Sequence, residues 1–423
     1  MKQLLAYCLS IILCVSFTGC MENYLDLYPE DKITSASFPE NESDIKLLLN
    51  GVYAQLREKE VYNQGLFGFG ITDGATPNAF NWGTDEVFNK LGAGRLSSSD
   101  GGVVTYRWKR CYEIISRANY LLACMDLVDL SEEAKAKYSG ETHFLRGLAY
   151  SVLAETYGGV PIILTNISTE EARSLKRASL EETWQQALDD YEVAITNLGV
   201  AAPEPGRATK GAALGMKMRA YLYQGKYKEV LSCVEQIDAL KKYGLFHSYE
   251  GLFDPANENN KEVLFDIQYI EGENSQGSYI DQYCGTGTGS WTRGSRYVPT
   301  DDLVAAYETI DGSPVDPENP YENRDPRLGF TAVLPGSYFL GYRFPNYLYP
   351  GGAFNHAGNR LKHLSTRKYR IQDESKVPPS GQSYINDIIL RYADVLLSKA
   401  EAIIETNGNV ADAIAILNRI RTE

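Results

Sequence analysis

Residues 209–241 read TKGAALGMKMRAYLYQGKYKEVLSCVEQIDALK, and this stretch decides the fold. Ala213, Met216, Ala220 and Tyr223 recur at the spacing of one helix face. Small residues beside large ones on that face let a second helix approach closely. The turn residues Gln224-Gly225-Lys226 separate this period from a second one. The stretch therefore predicts two antiparallel helices, 209–223 and 227–241.

The length and pattern of this pair resemble a tetratricopeptide unit of about 34 residues. Residues 391–406 and 410–421 predict another pair, which turns at Asn407-Gly408-Asn409. Such pairs cannot bury their apolar faces alone, so they stack into a solenoid. Four further helical periods are predicted, at 43–57 with Ser43 as N-cap, at 105–125, at 131–157 with Ser131 as N-cap, and at 180–198. The apolar run 160–164 contains Pro161 and predicts an edge strand.

Two long segments, 58–102 and 246–389, lose the helical period and are rich in glycine, asparagine and aromatic residues. Long irregular segments are usually functional and must pack on a scaffold. The sequence therefore predicts a mainly α fold with minor β structure. Tetratricopeptide-like helical repeats at 41–245 and 390–423 support an irregular, loop-rich ligand-binding lobe at 246–389, to which loop 58–102 contributes.

The first twenty residues predict export and lipidation. A positive Lys2, an apolar run from Leu4 to Phe17 and the small residues Thr18-Gly19 are typical of a secretory signal peptide, here 1–19. The apolar run is shorter than the roughly 20 residues that span a bilayer. Cys20 directly after Thr-Gly resembles a lipoprotein signal-peptidase site, which implies acylation of Cys20 and a polar tether at 20–40. Ordinary secretion with a chance cysteine is the alternative.

Composition excludes several classes of protein. A net charge of −14 argues against a nucleic-acid partner, because phosphate binding needs a basic surface. No metalloprotease, serine-hydrolase or phosphate-loop motif occurs, and the four histidines lack metal-ligand spacing. We therefore expect no cofactor and no metal. Cys111, Cys124 and Cys233 lie in helical patterns and are predicted to be small core residues, while the pairing of Cys284 stays open.

Five segments in order resemble the SusD/RagB family of outer-membrane nutrient-binding lipoproteins. They are Tyr24-Leu25-Asp26-Leu27-Tyr28-Pro29; Trp108, Tyr112, Ile115 and Arg117-Ala118-Asn119 with Leu122; Phe144-Leu145-Arg146-Gly147 with Tyr150 and Tyr157-Gly158-Gly159-Val160-Pro161; Tyr307-Glu308, Asp311-Gly312-Ser313 and Asn323-Arg324-Asp325-Pro326-Arg327-Leu328; and Arg391-Tyr392-Ala393-Asp394-Val395-Leu396-Leu397 with Ala400-Glu401-Ala402, Leu417-Asn418 and Ile420-Arg421. Family chains usually continue past the last helix, whereas this one stops at Thr422-Glu423, so we expect a truncated chain.

The resemblance implies a function as well as a fold. It implies a lipid anchor in the outer membrane with the body facing the cell exterior. It also implies a SusC-like TonB-dependent transporter as partner, over which the protein closes as a lid. The ligand would be an oligosaccharide or polysaccharide, held without hydrolysis. A peptide-capturing lid lipoprotein and a hydrolase are the two alternatives.

A sugar binder needs exposed flat aromatic rings with polar groups at their rim, because sugars present apolar C–H faces and hydroxyl edges. Trp82, with Phe80 and Asn81, and Trp291, with Arg293, lie in such aperiodic segments. The family resemblance supports these two regions but fixes no residue. The alternative is that both tryptophans pack the lobe onto the helices. Second-rank candidates are Tyr279, Tyr283 and Tyr297. Trp108 and Trp184 are predicted in the core, and Arg324-Asp325-Pro326-Arg327 is predicted to form a salt-bridged structural turn.

Overall fold

The computed structural model describes residues 38–57, 73–81, 90–271, 277–278, 297–339, 342–343, 364–371, 373–376, 378 and 382–422. The helices in this part are α1 Glu42–Ala54, α2 Val103–Cys124, α3 Glu132–Tyr157, α4 Thr169–Ser174, α5 Leu180–Asn197, α6 Lys210–Tyr223, α7 Tyr227–Ala239, α8 Asp301–Ala306, α9 Arg327–Thr331, α10 Tyr392–Glu405 and α11 Val410–Thr422. The strands are β1 Ala79–Asn81, β2 Val263–Ile267, β3 Tyr297–Pro299, β4 Ala332–Val333, β5 Tyr338–Phe339, β6 Tyr342–Arg343, β7 Ser365–Thr366 and β8 Asp387–Arg391.

The long helices form a sequential stack. Each of α2, α3, α5, α6, α7, α10 and α11 packs against the next, and α1 covers α2 and α3. Helices α7 and α10 are neighbours in this stack although residues 240–391 separate them in sequence. This confirms the mainly helical, tetratricopeptide-like fold.

Side-chain caps set where several helices begin. Ser131 Oγ accepts a hydrogen bond from the Ala134 amide at 3.1 Å, as predicted for the start of α3. The predicted cap of α1 was wrong. Asn41, not Ser43, is the N-cap, and its side-chain oxygen accepts from the amides of Ser43 and Asp44. Its extended backbone, which a cap requires, places Asn41 just before the helix.

A buried polar network ties α2, α3 and α5 together. Arg146 on α3 donates to both carboxylate oxygens of Asp190 on α5, at 2.7 Å from Nη2 and 3.0 Å from Nε. Its Nη1 donates to Asn119 Oδ1 on α2 at 2.8 Å. Gly147 allows this approach, because a Cβ there would lie 3.0 Å from the Asp190 Cβ. The Arg-Ala-Asn and Phe-Leu-Arg-Gly segments therefore meet in one structural cluster.

The predicted edge strand at 160–164 does not form. Side chains of the helices and the backbone amide of Ala178, rather than a partner strand, form hydrogen bonds with its backbone. The Tyr150 hydroxyl donates to the Ile163 carbonyl at 2.9 Å and accepts from the Ile163 amide at 2.8 Å. Tyr112 donates to the Pro161 carbonyl at 2.7 Å. Buried tyrosine hydroxyls thus take the place of a ladder that Pro161 would have interrupted.

Strands β2 and β8 pair antiparallel at the two ends of the inserted segment and pack on α6. Gly215 of α6 faces this pair, and a Cβ there would lie 2.3 Å from Leu390 Cδ2. The absence of a side chain at Gly215 therefore lets the sheet approach the helix. Three other two-stranded pairs, β1–β3, β4–β7 and β5–β6, lie within the described part of the lobe.

The core predictions for single residues are largely confirmed. Cys111, Cys124 and Cys233 are buried, unpaired thiols, while Cys20 and Cys284 lie outside the described residues. Trp184 is buried, whereas Trp108 is only half-buried and packs against Tyr112 and Tyr157 with ring centroids 5.0 and 5.2 Å apart. Within the described residues, no helix has the length and apolar character needed to cross a membrane.

Candidate functional site

A short antiparallel ribbon joins the two aperiodic segments. Strand β1 comes from the first segment and β3 from the second, with Ala79 opposite Pro299, Phe80 opposite Val298 and Asn81 opposite Tyr297. The Thr300 amide donates to the Asn78 carbonyl at 3.1 Å and extends the ribbon by one bond. Predicted site residues from distant parts of the chain are thus adjacent.

Phe80 is the predicted site residue whose side chain the structure describes. It is 49% exposed, whereas the partner Val298 is buried. Directly opposed residues of an antiparallel pair share one face. The ribbon therefore presents the half-exposed ring of Phe80 beside a buried Val298 on one face. Asn81 and Tyr297 are described only as strand backbone, and Trp82, Tyr279, Tyr283, Trp291 and Arg293 lie outside the described residues.

The other face of the ribbon closes a cavity. Neighbouring strand residues point to opposite faces, so Ala79 and Pro299 lie on the side away from Phe80. Both line a partly enclosed cavity of about 170 Å³. The remaining lining residues are Asp73, Asn78, Tyr249, Leu303, Tyr307, Thr331, Thr366 and Lys368.

Hydrogen bonds at Thr331 hold one wall of this cavity. The Tyr307 hydroxyl and Thr331 Oγ1 lie 2.9 Å apart. The carbonyl of Thr331 accepts from the amides of Arg367, at 2.8 Å, and Lys368, at 3.3 Å. The ammonium of Lys368 lies 4.3 Å from the ring centroid of Phe253, in a cation–π contact. The position of Lys368 is therefore fixed by backbone bonds and by an aromatic neighbour.

The titratable groups that line the cavity have shifted pKa values. Burial lowers the pKa of Lys368 and raises the pKa of Asp73. Burial would also raise the pKa of Tyr249, but the positive charge of Lys368 and a hydrogen bond with Thr331 outweigh it and leave that pKa below its ordinary value. An acid, a base and a phenol of perturbed pKa facing one cavity mark a candidate binding site.

Sequence reasoning missed these cavity residues. Asp73 and Tyr249 carry no motif, and Lys368 lies in a segment predicted only as irregular lobe. A weak signal was available, since Asp73 lies seven residues before Phe80 in the same aperiodic segment. Lys368 had no such signal, because its position depends on tertiary packing against Thr331 and Phe253.

Two larger clefts of about 380 and 370 Å³ flank the turn 204–207. Glu204, which lines both clefts, is already paired with Lys46 at 2.6 Å and with Arg207 at 3.2 Å. A ligand there would compete with these ion pairs, so these clefts are weaker candidates. Among the residues that the structure describes, no group of three or more His, Cys, Asp or Glu side chains is placed to hold a metal ion.

The predicted structural turn at 324–327 is confirmed. Asp325 and Arg327 form an ion pair, and Arg324 is buried. The Arg324 guanidinium donates to the carbonyls of Val304, Tyr307 and Pro320, each at 2.6 Å. Arg324 thereby holds the end of α8 and the following turn in place, and Arg324, Asp325 and Arg327 do not line the cavity.

Two family models match the chain. A model described as "SusD family" matches residues 261–422, and one described as "Starch-binding associating with outer membrane" matches residues 23–222. The chain belongs to the SusD/RagB family. The second description indicates that this SusD/RagB protein associates with the outer membrane.

Relatives match along nearly the whole chain. SusD-like protein P25 of Formosa agariphila is 26% identical, over 99% of this chain and 81% of the relative. The crystal structure of a SusD-like carbohydrate binding protein from Bacteroides fragilis is 27% identical, with a TM-score of 0.78 over 90% of this chain and 78% of that one. Surface glycan-binding protein A from Bacteroides fluxus, at 19% identity and a TM-score of 0.70 over 91% of this chain and 82% of that one, shares the fold.

Proposed function

We propose that this SusD/RagB protein binds oligosaccharide or polysaccharide at the cell surface and passes it, unhydrolysed, to a SusC-like TonB-dependent transporter. The observation that carries the proposal is the β1–β3 ribbon, which joins the two segments predicted to contact sugar and exposes Phe80. The likeness to a carbohydrate binding protein at 27% identity supports the same ligand class.

The ribbon provides the surface that sugar stacking needs. A half-exposed ring accepts the apolar C–H face of a pyranose, with a gain of roughly 0.5–1.5 kcal/mol by analogy with aromatic pairs. We propose that Trp82 and Trp291 add two such rings, with Asn81, Arg293, Tyr283 and Tyr297 at their rim. Each contact is weak, and a polymer of many equivalent units compensates by multivalent binding.

The anchor and the partner complete the proposal. Acylation of Cys20 with several chains would hold the protein stably in the outer membrane, where a single chain would be marginal. The tether 20–40 would let the body at 41–423, helical scaffold and lobe together, reach the transporter. We expect no nucleic-acid partner, because the net charge is −14.

The test is binding of the mature protein, without residues 1–19, to a panel of soluble plant, algal and bacterial polysaccharides by affinity electrophoresis and calorimetry. Phe80→Ala, Trp82→Ala and Trp291→Ala should each weaken binding by roughly two- to tenfold. Tyr223→Ala removes an aromatic ring of similar exposure, 53%, from the scaffold helix α6 and should leave affinity unchanged. If the three lobe variants bind as tightly as the control, the ribbon is not the sugar platform.

The same preparation separates the alternatives. Release of reducing sugar by the isolated protein would contradict a non-catalytic role. Binding of oligopeptides without binding of any polysaccharide would favour the peptide-capturing alternative. In cells that export the full-length precursor, Cys20→Ser should abolish membrane attachment and labelling by a radioactive or alkyne-bearing fatty acid.

A further inference from the structure

We infer that the cavity behind the β1–β3 ribbon is a separate pocket for one neutral pyranose ring, whose hydroxyl groups bridge Asp73 and Lys368. This inference rests on the proposed glycan-binding function and adds a ring pocket to it. Phe80 and Ala79 lie on opposite faces of the ribbon: the ring of Phe80 is half-exposed, and Ala79 lines the cavity.

The size of the cavity favours a single ring. Its volume of about 170 Å³ is well above the ~10–15 Å³ needed for one water molecule. It is below the ~300–1,000 Å³ typical of sites for larger ligands. The cavity is also partly enclosed, which suits a single ring better than a continuous polymer chain. The pocket would therefore bind the terminal sugar of a polysaccharide chain or a single-sugar side branch.

The charges point to a ligand rich in hydroxyl groups. Within the described part of the chain, neither the Asp73 carboxylate nor the Lys368 ammonium has a hydrogen bond or an ion pair. Lys368 contacts the ring of Phe253, and the two charges attract each other only across the cavity. Half-buried charges without hydrogen-bond partners are costly. A hydroxyl group both donates and accepts, so adjacent sugar hydroxyls can donate to Asp73 and accept from Lys368 at the same time.

The two opposite charges also decide the charge of the ligand. An acidic sugar would be attracted by Lys368 and repelled by Asp73, and a cation would meet the reverse. A neutral ring satisfies both groups without adding charge. The rest of the lining suits such a ring, because Leu303 and Ala79 offer an apolar wall while Tyr249 and Tyr307 offer phenol groups at its edge.

The experiment uses the mature full-length protein with methyl glycosides of glucose, galactose, mannose and xylose, and with methyl glucuronoside as the charged probe. Saturation-transfer NMR and thermal unfolding report binding. At least one neutral glycoside should bind and raise the unfolding midpoint. Lys368→Met and Asp73→Asn should each reduce its affinity by about tenfold, because each removes a charged hydrogen-bond partner. Tyr223→Ala is the matched control and should bind normally.

A second measurement distinguishes a loss of sugar binding from a loss of stability. Asp73→Asn removes a half-buried charge that has no hydrogen bond in the described structure, so without sugar its unfolding midpoint should equal or exceed that of the wild type. Lys368→Met also loses the cation–π contact with Phe253, so Asp73→Asn is the variant that decides this point. A purely structural role for Asp73 predicts a lower midpoint.

The outcomes separate the two inferences. If polysaccharide binds and Phe80→Ala weakens that binding, but no neutral glycoside binds, the cavity holds water only and the pocket inference is overturned. Normal glycoside binding by both cavity variants, or preference for the glucuronoside, overturns it equally. If neither polymer nor glycoside binds, the proposed function fails together with it.

Discussion

The buried cluster of Arg146, Asp190 and Asn119 allows a quantitative prediction for Asp190→Asn. The exposed fractions of the Arg146 and Asp190 side chains are 7% and 2%. The carboxylate accepts from both Nε and Nη2 of Arg146. An amide in its place offers one oxygen and turns an N–H group toward the guanidinium. Breaking one partner of a buried pair costs about 3–5 kcal/mol, because the remaining charge is left uncompensated.

The assay is urea unfolding followed by far-ultraviolet circular dichroism, with the unfolding midpoint as the measured quantity. Asp126→Asn is the matched control. It removes the same kind of group from an ion pair with Lys135 at 2.7 Å, but the two side chains are 72% and 45% exposed. Exposed pairs contribute little, so the control should unfold at nearly the wild-type midpoint.

A double variant tests the stated cause. Replacing Arg146 with Met and Asp190 with Leu removes both charges at similar volume, and such replacements of buried pairs are often neutral. The double variant should therefore be more stable than Asp190→Asn alone. If Asp190→Asn unfolds at the midpoint of the Asp126 control, or if the double variant is the least stable, the argument from uncompensated charge is refuted.

Two further predictions concern the sheet at the base of the lobe. Burial, with Asp266 nearby, raises the pKa of Asp387 from 3.8 to about 7. An acid with a raised folded-state pKa stabilises the fold at low pH and loses that contribution as pH rises. The stability of Asp387→Asn relative to wild type should therefore rise between pH 4 and pH 7, by about 3 kcal/mol, and then level off. A flat difference in urea titrations would contradict this. Gly215→Ala should lower the free energy of unfolding by about 1–3 kcal/mol, and with it the urea midpoint, because the added methyl group meets Leu390. Gly51→Ala on α1 is the control and should not lower the midpoint, because the nearest atom to its methyl group is 3.5 Å away. Equal midpoints for the two variants would show that the sheet moves to make room for the methyl group.

The sequence by itself determined the helical scaffold. Its helices depend on a local period and local caps, so α6 and α7 could be predicted to within two residues at each end. The family resemblance also followed from the sequence alone, because it depends on short segments that occur in a fixed order along the chain. Where prediction failed locally, as at 160–164, the reason was a tertiary one: the hydroxyl of Tyr150 replaced the expected strand partner.

Tertiary structure decided the site. Sequence pointed to Phe80 and to the region of Tyr297, but only antiparallel pairing placed β1 beside β3. The cavity behind them joins Asp73 to Lys368, and no local pattern links two residues so far apart in the chain. A helix forms hydrogen bonds between residues four apart, so residue spacing in the sequence predicts it. A pocket is enclosed by side chains from distant segments, so it exists only after the chain has packed.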